Sequence, residues 1–169
     1  LNILNNLKSA EKIVSLLKHK KAYCRGIIHF SSISAIRSAS HYGKTKKASE
    51  DIFINSGYNV IVLRSEMIIG NGARSIEKFS SALKIFPLIT FLPNGGNIKR
   101  FPIDIIDVVK IVGLIIKYNF FKNKIYYLVS SPVLVRDMAR NITKRIIIPI
   151  PKFSLFFLAR ILEKLFSKP

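Results

Sequence analysis

The side chains best suited to chemistry fall between Ser31 and Lys46. Ser31 and Ser32 close a short apolar run, and Tyr42-Gly43-Lys44-Thr45-Lys46 follows after a brief polar stretch. Tyr42 and Lys46 are spaced to share one face of a helix, one turn apart. A tyrosine hydroxyl titrates near ~10 and is a poor base at neutral pH unless a neighbouring ammonium stabilises the phenolate. Lys46 can supply that charge, and the Ser32 hydroxyl can hold a substrate oxygen beside it. The three together would make a proton-transfer site for an alcohol being oxidised or a carbonyl being reduced. Ser31 reads as structural. Alone, a Tyr-x-x-x-Lys pair also fits an amphipathic tyrosine on an exposed helix face.

Other chemistries find less support. His19, His29 and His41 are dispersed without metal-ligand spacing and read as surface or strand residues, so no metal is expected. Cys24 is the single cysteine and cannot form an internal disulfide; standing just before a strand, it reads as a small buried residue.

The elements that would position Ser32, Tyr42 and Lys46 alternate. From Leu1 to about Lys20, apolar residues at Ile3, Leu4, Leu7, Ala10, Val14 and Leu17 step by three and four, predicting an amphipathic helix. Gly26 to Ser32 is an apolar run ending in small polar residues, as a buried parallel strand does on entering an active-site loop. Tyr42 to about Asn55 is helical, Gly57 stops it, and Tyr58 to Leu63 is a second buried strand. Such alternation indicates βαβ units and a parallel sheet with helices on both faces. Beyond Arg64 the regularity loosens. A helix is expected over Ser75 to about Phe86, a strand over Leu88 to Leu92, a turn at Asn94-Gly95-Gly96-Asn97 and an extended stretch from Lys99 to Ile103. An apolar helix capped by Asp107 runs to Tyr118. A strand over Lys124 to Val129, a helix from Val133 to about Thr143, a strand at Ile146 to Ile148 and a terminal helix from Lys152 to Phe166 complete the reading.

Four ordered motifs carry a family resemblance. His29-Phe30-Ser31-Ser32 is followed by Tyr42-Gly43-Lys44-Thr45-Lys46 and Ala48-Ser49-Glu50. Next come Leu63-Arg64-Ser65-Glu66-Met67-Ile68-Ile69-Gly70-Asn71-Gly72 and Phe101-Pro102-Ile103-Asp104-Ile105-Ile106-Asp107-Val108-Val109. From Leu1 to about Phe166 the chain resembles the extended short-chain dehydrogenase/reductases, the NAD-dependent epimerases and dehydratases of nucleotide-sugars. In that family a strand ends in Ser-Ser, Tyr-x-x-(Ser/Thr)-Lys and a glutamate follow, and later segments read Arg-Pro-x-x-(Val/Ile)-Tyr-Gly-Pro-Gly and Val-Asp-Asp-Val-Ala. Here the first proline of the Arg-Pro segment is Ser65, its tyrosine is Ile69 and its second proline is Asn71.

The resemblance implies a fold, a cofactor and roles. The fold would be α/β: an incomplete Rossmann-like parallel sheet with helices on both faces, plus a small C-terminal α/β substrate-binding subdomain. Residues 1–72 would be the C-terminal half of the NAD(P)-binding domain, and residues 73–169 a mixed substrate-binding subdomain with elements returning to the Rossmann core. Tyr42 would be the acid/base, Lys46 would bind the nicotinamide ribose and lower the Tyr42 pKa, and Ser32 would polarise the substrate oxygen. Ser65, Met67 and Ile68 would approach NAD or NADP, with Gly70 and Gly72 giving the backbone room. Arg100 falls near where such enzymes contact a diphosphate, although a solvated turn charge explains it equally well.

The family's cofactor diphosphate sits on a Gly-x-x-Gly-x-x-Gly turn opening the first helix. None of the 8 glycines here falls in that pattern. The first helix of this chain matches one in the middle of the family fold, and the expectation is a fragment or truncated product, inactive alone. The alternative is a non-catalytic binding or assembly protein on the same scaffold.

Composition bounds the rest. The 169 residues suffice for one domain with a core, and 49% hydrophobic content against 22% charged argues against disorder. A net charge of +19 suggests an anionic partner, yet the 28 basic residues are scattered rather than blocked, so a basic solvated surface is preferred to a nucleic-acid or membrane-surface site. The longest apolar stretches, Ile103–Tyr118 and Phe153–Phe166, carry charges and fall short of the roughly 20 residues of a membrane span. The expected partner is a nucleotide-sugar or related small molecule, with no specific nucleic acid and a second copy of the chain admitted. The expected setting is cytoplasmic.

Overall fold

The computed structural model describes residues 3–20, 23–37 and 40–151. In chain order the elements are α1 (Ile3–His19), β1 (Ile27–Ser32), α2 (Ser34–Arg37), α3 (His41–Ile54), β2 (Val60–Ser65), β3 (Met67–Ile69), α4 (Arg74–Leu83) and β4 (Ile89–Pro93). A 3-10 turn at Asn94–Gly96 leads to β5 (Lys99–Arg100), β6 (Pro102–Asp104), α5 (Ile105–Lys117), β7 (Lys124–Leu128), β8 (Val133–Leu134), α6 (Val135–Ile142) and β9 (Ile146–Ile150). The helix expected over Lys152–Phe166 lies outside the described residues.

The chain divides into two units. The first takes Leu1–Asn71 and Pro102–Ser130, the second Gly72–Phe101 and Ser131–Pro169. In the first, β1, β2 and β7 form a parallel sheet in that order, with Ile27 opposite Val60, Ser32 opposite Ser65, and Ile61 opposite Lys124. β2 is central, and its alternation decides the layers. Val60 and Val62 pack against Ala10 and Val14 of α1 and Phe53 of α3. Ile61 and Leu63 turn the other way, against Val108 and Ile115 of α5. All four are at most 1% exposed, because a strand covered on both faces buries every side chain. This is the α/β architecture with helices on both faces of a parallel sheet that the alternation of elements predicts.

A second, smaller parallel pairing joins β3 to β6, Met67 opposite Pro102 and Ile69 opposite Asp104. It replaces the continuous stretch expected from Lys99 to Ile103. Lys99–Arg100 instead pairs antiparallel with Val133–Leu134, so the short β8 occupies what was expected to be the start of a helix, and α6 begins at Val135. The cap of α5 is also one turn earlier than expected. Asp104, not Asp107, takes the extended N-cap conformation and accepts a hydrogen bond from the Ile106 backbone N–H at 2.8 Å. Asp107 lies in the first helical turn, beside Lys110. The second unit pairs β4 with β9 in parallel and gathers Leu83, Leu92 and Ala139 into its own core.

Candidate active site

β1 delivers Ser32 to the carboxyl end of the sheet, directly in register with Ser65 at the end of β2. Ligands of open parallel sheets bind in the crevice outside these strand ends. The chain then turns tightly. The Ser34 N–H donates to Ser32 Oγ at 3.2 Å, and the Ile33 N–H donates to the Ser65 carbonyl at 3.0 Å. With its oxygen accepting from Ser34, the Ser32 hydroxyl keeps its own hydrogen for another acceptor.

α3 starts over this turn. Ser40 caps it, its Oγ accepting from the Gly43 N–H at 3.0 Å. A Cβ at position 43 would lie 2.4 Å from the Ser34 carbonyl oxygen, so only glycine lets the first turn of α3 come this close to the segment leaving Ser32. Gly43 therefore brings Tyr42 towards the end of β1. Tyr42 is 42% exposed and accessible from solvent. One turn on, Lys46 Nζ stands 6.0 Å from the Tyr42 ring centroid and donates to the Phe30 carbonyl of β1 at 3.1 Å. Burial lowers the Lys46 ammonium below its ordinary range, and the Glu50 carboxylate opposes that shift.

His29, on the same strand, faces α3. Its Nε2 is 3.3 Å from Ser49 Oγ and its ring packs at 4.8 Å on Phe53. Burial, then the Lys46 charge, push its pKa down to about 4, with Glu50 opposing, so it is neutral at pH 7.

Behind these residues lies a pair that the reading of motifs named without assigning a role. Glu50 is fully buried at 0% exposure and accepts two hydrogen bonds from Arg64, from Nε at 2.9 Å and from Nη2 at 2.6 Å. Arg64 Nη1 also donates to the Tyr127 hydroxyl at 3.2 Å. Burial alone would raise the Glu50 pKa, but the Arg64 hydrogen bonds and charge hold it below the ordinary value. The signal was present in the sequence: an arginine closing a fully apolar strand needs a buried partner.

The segment after Ser65 carries Met67 and Ile68 on β3, both half-buried, opposite Pro102 and Ile103 of β6. Gly70 has φ +122°, and a Cβ there would meet Ile105 at 2.5 Å; Gly72 has φ +75° with open space around it. Both positions favour glycine, Gly70 for packing as well as conformation. Arg100 lies on β5 of the second unit, with its residue exposed. Among the described residues no cluster of His, Cys, Asp and Glu is arranged to hold a metal ion. Nor, among them, is any helix long and apolar enough to cross a membrane.

No family model matches the chain, and no curated protein matches it. Solved structures do. A dTDP-4-dehydrorhamnose reductase from Bacillus anthracis, in complex with NADP, superposes with a TM-score of 0.70 at 12% identity, over 88% of this chain and 58% of that one. A UDP-glucuronic acid 4-epimerase from Bacillus cereus, in complex with NAD, gives 0.70 at 14% identity over 87% and 55%. A dTDP-glucose 4,6-dehydratase double mutant from Streptomyces venezuelae, with NAD bound, gives 0.67 at 13% identity over 88% and 54%. The chain thus has the fold of these enzymes and spans a little over half the length of each.

Proposed function

We propose that this chain belongs to the extended short-chain dehydrogenase/reductases and forms part of an NAD(P)-dependent protein acting on a nucleotide-sugar. The observation that carries the reading is the Ser32, Tyr42 and Lys46 arrangement at the carboxyl end of a parallel sheet, on a fold shared with reductases, epimerases and dehydratases of such sugars.

The residues present suit the nicotinamide-ribose end of such a cofactor. Lys46 offers an ammonium beside an accessible tyrosine, and Ser65 ends β2 with Met67 and Ile68 following it, at the strand ends where a ligand would lie. The chain holds no Gly-x-x-Gly-x-x-Gly turn for the diphosphate. When bound, NAD or NADP would accept and return a hydride at the carbinol carbon. The chain's own work is proton handling. Ser32 donates its free hydrogen to the substrate oxygen and fixes its orientation, while Tyr42 takes or returns the proton of that oxygen. Lys46 stabilises the tyrosinate and binds the ribose hydroxyls. Arg100 is proposed as a contact to the substrate diphosphate. The single Cys24 suits a reducing, cytoplasmic setting.

The test is turnover of UDP- and dTDP-sugars with NAD+ or NADPH by the protein joined to a leading Rossmann half that carries the glycine turn. Activity is expected, with a fall of at least about 100-fold on Tyr42→Phe, the scale of a lost acid/base. A joined protein that bound no nicotinamide cofactor would contradict the reading. The replacement of the family's proline and tyrosine by Ser65 and Ile69 favours a second reading, a non-catalytic binding or assembly protein of the same fold. Cofactor binding without any Tyr42-dependent turnover would favour that one.

A further inference from the structure

We infer that the buried Glu50–Arg64 pair is a positioning device, locking the Tyr42–Lys46 stripe of α3 onto the sheet and setting the electrostatic field at Lys46. The inference rests on the proposed roles of Tyr42 and Lys46.

Tyr42, Lys46 and Glu50 follow one another at four-residue steps and so form one stripe of α3. The last of them is anchored. Two hydrogen bonds, at 2.9 and 2.6 Å, tie both carboxylate oxygens to one planar guanidinium. A bidentate fork fixes distance and orientation together, whereas apolar contacts between a helix and a sheet tolerate sliding. Arg64 is itself held on the central strand, in register with Ser31 of β1 on one side and Tyr127 of β7 on the other. Its third contact, to the Tyr127 hydroxyl at 3.2 Å, ties in the far strand. The network therefore joins α3 to the sheet immediately behind the strand ends that carry Ser32 and Ser65.

Stability alone is a poor reason for such a pair. Desolvating both charges costs about as much as their attraction returns, and well-packed apolar replacements often serve as well. A charge at Glu50 has a second effect that apolar groups lack. The groups facing Lys46 are Glu50 and Tyr42 on α3, and His29 and the Phe30 carbonyl on β1. Of these, Glu50 carries the negative charge that supports the Lys46 ammonium against burial.

The test follows Lys46 by NMR in the chain after 13C-methylation of its lysines, with the signal assigned by a Lys46→Arg variant. Glu50→Gln keeps the shape of the side chain and removes its charge; the Lys46 titration midpoint should move down and its contact with the Tyr42 ring should weaken. Because Glu50→Gln strands the Arg64 charge, the double variant Glu50→Leu/Arg64→Met is measured beside it and should show a smaller downward shift with the fold retained. A Lys46 midpoint and ring contact unmoved in either folded variant would overturn the inference. Loss of the fold in both would equally overturn it, making the pair a requirement of folding rather than of position. The titration needs no cofactor, so an unmoved Lys46 leaves the nicotinamide reading intact, and failure of cofactor binding leaves the titration result intact.

Discussion

At the scale of single residues, His29 offers a check on how the site is buried. Its pKa of about 4 in the folded chain lies below the ordinary 6.5, so between these values the unfolded chain binds the extra proton and the folded chain does not. The contribution to stability is complete above pH 6.5 and is lost as pH falls towards 4. Urea midpoints across this window should fall with pH, and His29→Phe, which keeps the packing on Phe53, should remove much of the slope; an unchanged slope would place the imidazole in water. The placement of Ser32 at a strand end, and of Tyr42 and Lys46 one turn apart on a helix, was legible in the sequence because that spacing is local. The Glu50–Arg64 pair was harder to see, since its partners meet only when α3 folds back over β2. Gly43 carried no visible signal, because its reason is the nearness of the Ser34 carbonyl, a tertiary contact.

Among the elements, helices and central strands follow their apolar periodicity, and the differences fall where short segments are decided by pairing. α1 and α3 match the expected helices closely, as does β7 its strand. The stretch around Phe101 reads as one strand but splits, because Lys99–Arg100 pairs with β8 in the second unit and Pro102–Asp104 with β3 in the first. The cap of α5 could not be placed from spacing alone, since Asp104 and Asp107 both precede apolar residues and differ only in where the strand ends. Asp104→Ala should cost about 1 kcal/mol of stability, the usual value of an N-cap. Asp107→Ala, which removes only a first-turn charge and an exposed pair with Lys110, should cost about 0.5 kcal/mol or less. Thermal or urea unfolding of the two variants checks the order, and a larger loss at Asp107 would return the cap to that residue.

For the whole molecule, the parallel sheet and its two helical layers were readable because alternating elements leave few topologies open. The chain leaves the first unit after Asn71 and re-enters it at Pro102–Ser130. Among the described residues β1 pairs with β2 alone, so its other edge has no strand beside it. With no glycine turn for a diphosphate, cofactor affinity in these 169 residues would come from the nicotinamide-ribose end and should be weak. The most direct measurement is therefore an NMR titration of the isotope-labelled chain with NAD+ and with NADP+. Weak, saturable shifts should be confined to Ser32, Tyr42, Lys46, Ser65, Met67 and Ile68 and be lost in Lys46→Met; shifts clustering elsewhere, or none at these residues, would refute a cofactor site at these strand ends.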